Sequence, residues 1–160
     1  MGKVNESELD WASVDRGDAE YRRKRLADAA GGDELGCSLY ELPPGKKSWP
    51  YHYHTANEEA LYVLDGTGRL RGDDKELSLD AGDYVALPAG EDGAHRIIND
   101  SEEPLRYLMI STMATPEVLV YPDSEKVGVL DGAAPGGTDE RTLEGYYRQE
   151  DAVDYWDGEE

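Results

Sequence analysis

The sequence predicts an all-β domain, a jelly roll or small closed barrel, and three observations carry that expectation. Between residues 34 and 112 the apolar residues fall in short runs with strand alternation rather than helical spacing. Turn-forming residues separate these runs. Helix signals elsewhere in the chain are weak. About eight strands at this spacing suit two packed sheets or a sheet closed on itself.

In chain order the runs cover residues 35–42, 49–54, 59–64, 67–71, 75–79, 84–87, 94–99 and 105–112. Between them lie Pro43-Pro44-Gly45, Asp65-Gly66, Gly72-Asp73-Asp74, Asp80-Ala81-Gly82-Asp83, Pro88-Ala89-Gly90 and Asn99-Asp100. Proline presets φ, and Gly, Asn and Asp tolerate positive φ, so each of these is a turn, with Gly66, Gly82 and Gly90 read as turn glycines. Ahead of the runs, residues 6–16 and 17–30 hold enough Ala, Glu, Leu and Arg for a short helix or an extended arm, stopped by Ala30-Gly31-Gly32. Behind them, residues 118–121 are strand-like, residues 132–137 form a Gly/Ala/Pro loop, and an acidic end carries Tyr146, Tyr147, Tyr155 and Trp156. Aromatic residues so dense in a polar tail dock either on the outer face of the same barrel or on a second subunit. The expected organisation is an N-terminal arm over residues 1–33, a barrel over 34–115 and a C-terminal extension over 116–160.

At 160 residues the chain is long enough to bury a core without staples. One cysteine, Cys37, excludes an intrachain disulfide framework, and its apolar strand suits an inert buried thiol. No apolar stretch is long enough to span a bilayer, and the N-terminus lacks the apolar core of a signal peptide. The expectation is a soluble cytoplasmic protein with no membrane partner. The formal net charge is −20, from 36 acidic and 16 basic residues, which speaks against a nucleic-acid partner. The one basic cluster, Arg22-Arg23-Lys24-Arg25, reads as a solvated segment flanking the fold. Acids spread along the whole chain, few lysines and no phenylalanine point to a halophilic host, because molar salt screens self-repulsion to within a few ångströms.

The residues that carry chemistry are the three histidines, His52, His54 and His95, with Glu59. On a strand, residues i and i+2 share a face, so His52 and His54 point together and Tyr53 points away. Glu59 opens the next run, close enough to return its carboxylate to the same interior, while alternation turns Glu58 away. His95 opens a later run after Pro88-Ala89-Gly90. Imidazoles with a carboxylate suit a divalent transition ion, and four protein ligands leave two positions of an octahedral ion open.

These residues fall in two motifs. Gly45, a spacer, His52-Tyr53-His54, four residues, Glu59, six residues and Gly66 form the first. Gly82, five residues, Pro88-Ala89-Gly90, a spacer, His95, three residues and Asn99 form the second. Over roughly residues 35–112 the chain thereby resembles the cupins, and among them a group of small bacterial and archaeal members of unassigned function, to which Tyr121-Pro122-Asp123-Ser124 and Lys126-Val127 add likeness. Two spacers depart from the family pattern: the one before His52 has six residues rather than five, and the one before His95 has four rather than two. Both lie in loops, where length is tolerated.

The resemblance implies a double-stranded β-helix (cupin) barrel and one divalent transition metal, whether iron, manganese, nickel or zinc, held by His52, His54, Glu59 and His95. It leaves the reaction open. The first reading is a mononuclear metal enzyme acting on a small polar, oxygen-bearing substrate by oxygenase, isomerase, epimerase or lyase chemistry. The alternative is a non-catalytic module that binds a sugar or another small molecule; a storage role would not require all four ligands. No acid–base residue stands out beyond a tyrosine at the mouth. Trp49, Tyr51, Tyr53 and Tyr62 either line that mouth or pack, and Arg96 and Arg106 are the candidate anion anchors. Family habit adds a homodimer.

Overall fold

A computed structural model describes residues 1–159. Its regular structure is almost entirely antiparallel β. Strands β1 (Ala12–Arg16), β2 (Ala19–Arg25), β3 (Leu35–Leu42), β10 (Leu105–Thr112), β5 (Glu59–Asp65) and β8 (Tyr84–Leu87) form one six-stranded sheet in the order β1-β2-β3-β10-β5-β8. A four-stranded sheet runs β13 (Leu143–Arg148), β12 (Lys126–Asp131), β11 (Glu117–Tyr121), β4 (Tyr53–His54). A three-stranded sheet runs β7 (Glu76–Asp80), β6 (Thr67–Arg71), β9 (Arg96–Ile98). Consecutive strands repeatedly lie in different sheets, which is jelly-roll connectivity.

The apolar alternation builds the core. Leu42, Leu61, Val63, Leu105 and Tyr107 of the six-stranded sheet pack against Leu70, Leu79 and Ile97 of the three-stranded one, all almost fully buried. Each aliphatic side chain so buried contributes about 1.5–3 kcal/mol. At the β5–β6 turn Gly66 has φ +83° and a Cβ there would run into the Pro104 carbonyl, so both conformation and space demand glycine.

Of the two expectations for the N-terminal segment, a short helix or an extended arm, residues 12–25 depart from the helix and take extended backbone that is built into the sheet. Residues 12–25 form the β1–β2 hairpin, and β2 pairs with β3 inside the six-stranded sheet. Only Leu26–Ala30 is α-helical (α1), and it stops at Gly31, as the Ala-Gly-Gly sequence predicts. The basic cluster is therefore not a solvated flank. Alternation on β2 sorts it into two pairs: Arg22 and Lys24 each lie 4.6 Å from the Trp11 ring centroid, whereas Arg23 and Arg25 share the face of buried Tyr21. Lys24 also donates to the Glu6 carbonyl at 2.6 Å, fastening the first residues to the sheet.

The C-terminal extension is likewise part of the architecture. β11 and β12 pair, β13 extends the sheet, and the Tyr146 ring lies over Gly128 of the neighbouring strand. Tyr147, Tyr155 and Trp156 stay exposed. Among the described residues, no helix is long and apolar enough to cross a membrane.

Candidate metal centre

The backbone brings the histidines together before any side-chain contact is considered. His52 and His95 form an isolated antiparallel bridge, with His95 N–H donating to the His52 carbonyl at 2.9 Å and His52 N–H donating to the His95 carbonyl at 3.3 Å. This pairing seats two imidazoles side by side, their centroids 5.0 Å apart. His54, two residues on, shares the face; its ring centroid is 5.1 Å from that of His52. Gly90 N–H donates to the His54 carbonyl at 2.7 Å, tying the Pro88-Ala89-Gly90 turn to this strand. Glu59 opens β5 and faces inward, while Glu58 is exposed, as alternation predicts.

The ligand atoms of His52, His54 and Glu59 lie within 4.8 Å of one another, a group that can hold a metal ion. His95 stands beside them, its Nε2 3.5 Å from Glu59 Oε2; His54 Nε2 is 3.3 Å from the same oxygen. Every imidazole is held from behind through Nδ1. His52 Nδ1 is 2.7 Å from the Pro50 carbonyl, His95 Nδ1 is 2.9 Å from the Gly93 carbonyl, and His54 Nδ1 is 3.3 Å from Glu117 Oε2. Each partner only accepts, so each Nδ1 carries its proton and donates. Metal-binding imidazoles are oriented in this way, with Nε2 left to the interior.

The electrostatics suit a cation. Burial, reinforced by the neighbouring imidazoles, pushes His52 down to about 3, and burial also lowers His95, so both are neutral at pH 7. Burial opposes charge on His54 too, but the Glu117 and Glu59 carboxylates prevail and raise it to about 9. For Glu59, burial is outweighed by the imidazoles, His54 foremost, which hold it at about 2. Glu59 Oε2 is buried with no aligned hydrogen bond among the described residues. A divalent ion would satisfy that oxygen and take the place of the second proton on His54. The residues present fit such an ion.

Several functional neighbours escaped the sequence reading. Glu117, fully buried, accepts from the backbone N–H groups of Thr55, Ala56 and Val118 at 3.0, 3.1 and 3.0 Å and from the Asn57 amide. These donors and His54 overcome its burial and hold its carboxyl at about 2. The available signal was phase: Glu117 alternates with buried Leu119 on β11. The ligand group lines a cavity of about 590 Å³, with Trp49 and Tyr121 in its walls. Tyr121 stacks on His52 at 5.8 Å. Arg23 and Arg25 also line the cavity, as do Arg141 and Tyr146 from the extension.

The expected anion anchors lie elsewhere. Arg106 pairs with Glu6 at 2.9 Å and Glu41 at 3.8 Å, and Arg96 is outside the cavity lining, because their strand phase turns them from the interior. Of the four aromatic residues considered for the mouth, Trp49 alone lines the cavity; Tyr51 is buried beneath the Arg71 guanidinium, 4.0 Å from its ring centroid. Cys37 is half-buried and burial pushes its thiol up, in keeping with an inert role.

Comparison with known proteins bears on the same residues. The family model described as "Cupin domain" matches residues 38–111. No curated protein matches the chain. A solved structure from Acidithiobacillus ferrooxidans, provisionally described as a sugar phosphate isomerase, is 29% identical with TM-score 0.79, over 92% of this chain and 90% of that one. A sugar phosphate isomerase of the cupin superfamily from Silicibacter pomeroyi is 27% identical with TM-score 0.79, over 97% and 98% of the two chains. A cupin protein from Bacteroides fragilis is 30% identical with TM-score 0.51, over 67% of this chain and 86% of that one.

Proposed function

This chain belongs to the cupin superfamily, and from that premise we propose that it is a metal-dependent enzyme of the isomerase type, acting on a small sugar phosphate. The observation that carries the reading is a donor set aimed into a cavity whose walls come from the whole chain. The likeness to two proteins described as sugar phosphate isomerases runs over 92% and 97% of the chain, well beyond the 38–111 span of the family model.

In this reading His52, His54, Glu59 and His95 hold one divalent ion, which supplies Lewis acidity toward a carbonyl or hydroxyl oxygen. The chain's own residues do the rest. Glu117 and the Pro50 and Gly93 carbonyls fix the imidazole orientations through Nδ1. Burial of the three histidines keeps bulk water from the donor set. Tyr121, whose phenol burial and nearby Tyr146 push up, keeps its proton at Oη at neutral pH and serves as a donor toward a substrate oxygen rather than as a base. The exposed Tyr147, Tyr155 and Trp156 support the homodimer expected from the sequence, which light scattering on the purified chain tests.

The deciding experiment is metal analysis of protein purified without added metal, followed by assays of aldose and ketose phosphates under air and under argon. Turnover that ignores oxygen supports isomerase chemistry. Oxygen uptake by the iron form would replace it with oxygenase chemistry, and a metal-loaded protein that turns nothing over would leave the sugar-binding module.

A further inference from the structure

We infer that Arg23 and Arg25 on β2 form an anion subsite that takes the phosphate group of a phosphorylated ligand in the metal-site cavity. The inference rests on the sugar phosphate reading for its ligand class, and on the cavity wall for its residues.

Three observations carry it. The chain has 36 acidic against 16 basic residues, and of the arginines without an ion pair among the described residues, Arg16, Arg23, Arg96 and Arg148, Arg23 alone lines the cavity. Arg22, Arg69, Arg71 and Arg106 each hold a carboxylate at 2.9 Å or closer. Arg23 makes no ion pair among the described residues. Its Nη1 reaches only the Tyr40 hydroxyl, at 3.5 Å, and its guanidinium lies 5.6 Å from the Trp49 ring centroid. Second, Arg25 is on the same strand face two residues on; it approaches Asp28 only at 3.9 Å, and its Nε is buried without a hydrogen-bond partner. Third, both arginines line the cavity that holds the donor set.

The carboxylates of that wall leave Arg23 without an ion pair, and Arg25 has only the long contact to Asp28 at 3.9 Å. Glu59 belongs to the imidazoles, and Glu144 pairs with Arg141 at 2.8 Å, while carbonyls of Ala133 and Ala134 hold the remaining nitrogens of Arg141 at 3.4 and 3.5 Å. Asp139 also lines the cavity and makes no ion pair among the described residues. A planar guanidinium fork matches the tetrahedral oxygens of a phosphate monoester, and charge-assisted bonds to a dianion are the strong ones. On a surface carrying a net −20, an anionic ligand is repelled until it meets such a local cationic wall. Arg23 has the free fork and takes the largest share, with Arg25 two residues on along the same strand face.

The test is calorimetric titration of inorganic phosphate into the full chain, treated with chelator, for the wild type and for Arg23→Gln, Arg23→Lys, Arg25→Gln and the distant Arg106→Gln. The wild type and Arg106→Gln are expected to bind phosphate alike, Arg23→Gln at least about tenfold more weakly, and Arg23→Lys and Arg25→Gln in between. Should Arg23→Gln not fold, Arg23→Lys decides, because it keeps the strand and the charge and loses only the fork. Phosphate affinity unchanged in the Arg23 variants, or binding that needs the metal and ignores both arginines, would overturn the subsite. Loss of phosphate binding in Arg23→Gln without any isomerase turnover in the wild type leaves the subsite standing and removes the isomerase reading. Turnover with no effect of Arg23 on phosphate affinity does the reverse.

Discussion

The barrel strands and the segments flanking them contribute to one cavity in different ways. Residues 38–111 supply His52, His54, Glu59 and His95, each placed by ladder pairing or by a backbone carbonyl behind its ring. The flanks supply Glu117 on β11, Arg23 and Arg25 on β2, and Arg141 and Tyr146 on the extension. The barrel thus carries donors that any member with these motifs would present, whereas the flanks carry the groups that tune a donor and select a ligand. The family model spans the first set only.

Breaking the barrel's share has the largest expected effect. His54→Ala removes one imidazole of the group within 4.8 Å, so metal content after dialysis falls by at least about a hundredfold, beyond what loss of an outer partner costs. Glu117 keeps its Thr55, Ala56 and Val118 N–H donors, so the variant retains its fold. Metal content equal to wild type by elemental analysis would exclude His54 as a ligand. The corresponding change in the flank, Glu117→Gln, keeps every ligand and loses only the orientation and charge behind His54. Its metal affinity should drop about 10–100-fold in a chelator competition. The amide also places N–H groups against N–H donors, which costs about 1–3 kcal/mol of stability by chemical denaturation. Unchanged affinity would mean that the barrel holds His54 unaided.

The sequence made the barrel legible because its strands alternate cleanly and its turns are built from Gly, Pro and Asp. β3, β6, β8 and β10 span the residues read from the pattern. The run 49–54 shrinks to Tyr53–His54 as a strand, because Pro50 has no N–H to enter a ladder. The flanks resisted for physical reasons. Arg22-Arg23-Lys24-Arg25 looks solvated as a string of charges, yet on a strand it divides between a Trp11 face and the cavity. β12 and β13 are interrupted by Gly128 and Gly145, which argue against strands in isolation; in the fold Gly128 leaves room for the Tyr146 ring. Glu117 reads as a surface acid until its pairing partners are known, since most of its donors, those other than Val118, come from the loop at residues 55–57, some sixty positions earlier.

Protons sharpen the comparison between the donor set and its flanking support. In metal-free protein His54 is raised to about 9 by carboxylates from both regions, Glu59 and Glu117. A raised folded value makes its contribution fully present below the unfolded value of 6.5 and lost as pH rises through about 9. On the acid side the signs reverse. His52, lowered to about 3, costs stability as pH falls from 6.5, and the depressed Glu59 and Glu117 withdraw theirs as pH falls from 4.5 through about 2. Chelator-treated protein should be most stable near neutrality and lose about 1–3 kcal/mol toward about pH 9.5 in urea titrations. Metal-loaded protein should lack that alkaline limb, since the ion replaces the proton concerned. The same alkaline loss with metal bound would show that His54 keeps its proton and is not a ligand.

Salt separates interior from surface electrostatics, with the smallest effect per contact. The Glu117–His54 pair is buried, and screening hardly reaches it. Exposed pairs such as Arg69–Glu76 and Arg71–Asp123 weaken in molar potassium chloride, each by no more than about 1 kcal/mol. Against that loss stands the mutual repulsion of carboxylates that outnumber the bases 36 to 16, so most acids have no cation to lose and gain from screening. Repulsion should prevail, and the melting temperature should rise with potassium chloride, to a similar extent in the wild type and in Glu117→Gln. A melting temperature indifferent to salt would mean that the acidic surface carries no net strain and would remove the halophilic explanation of its charge. A rise confined to the wild type would place the salt response in the site rather than on the surface.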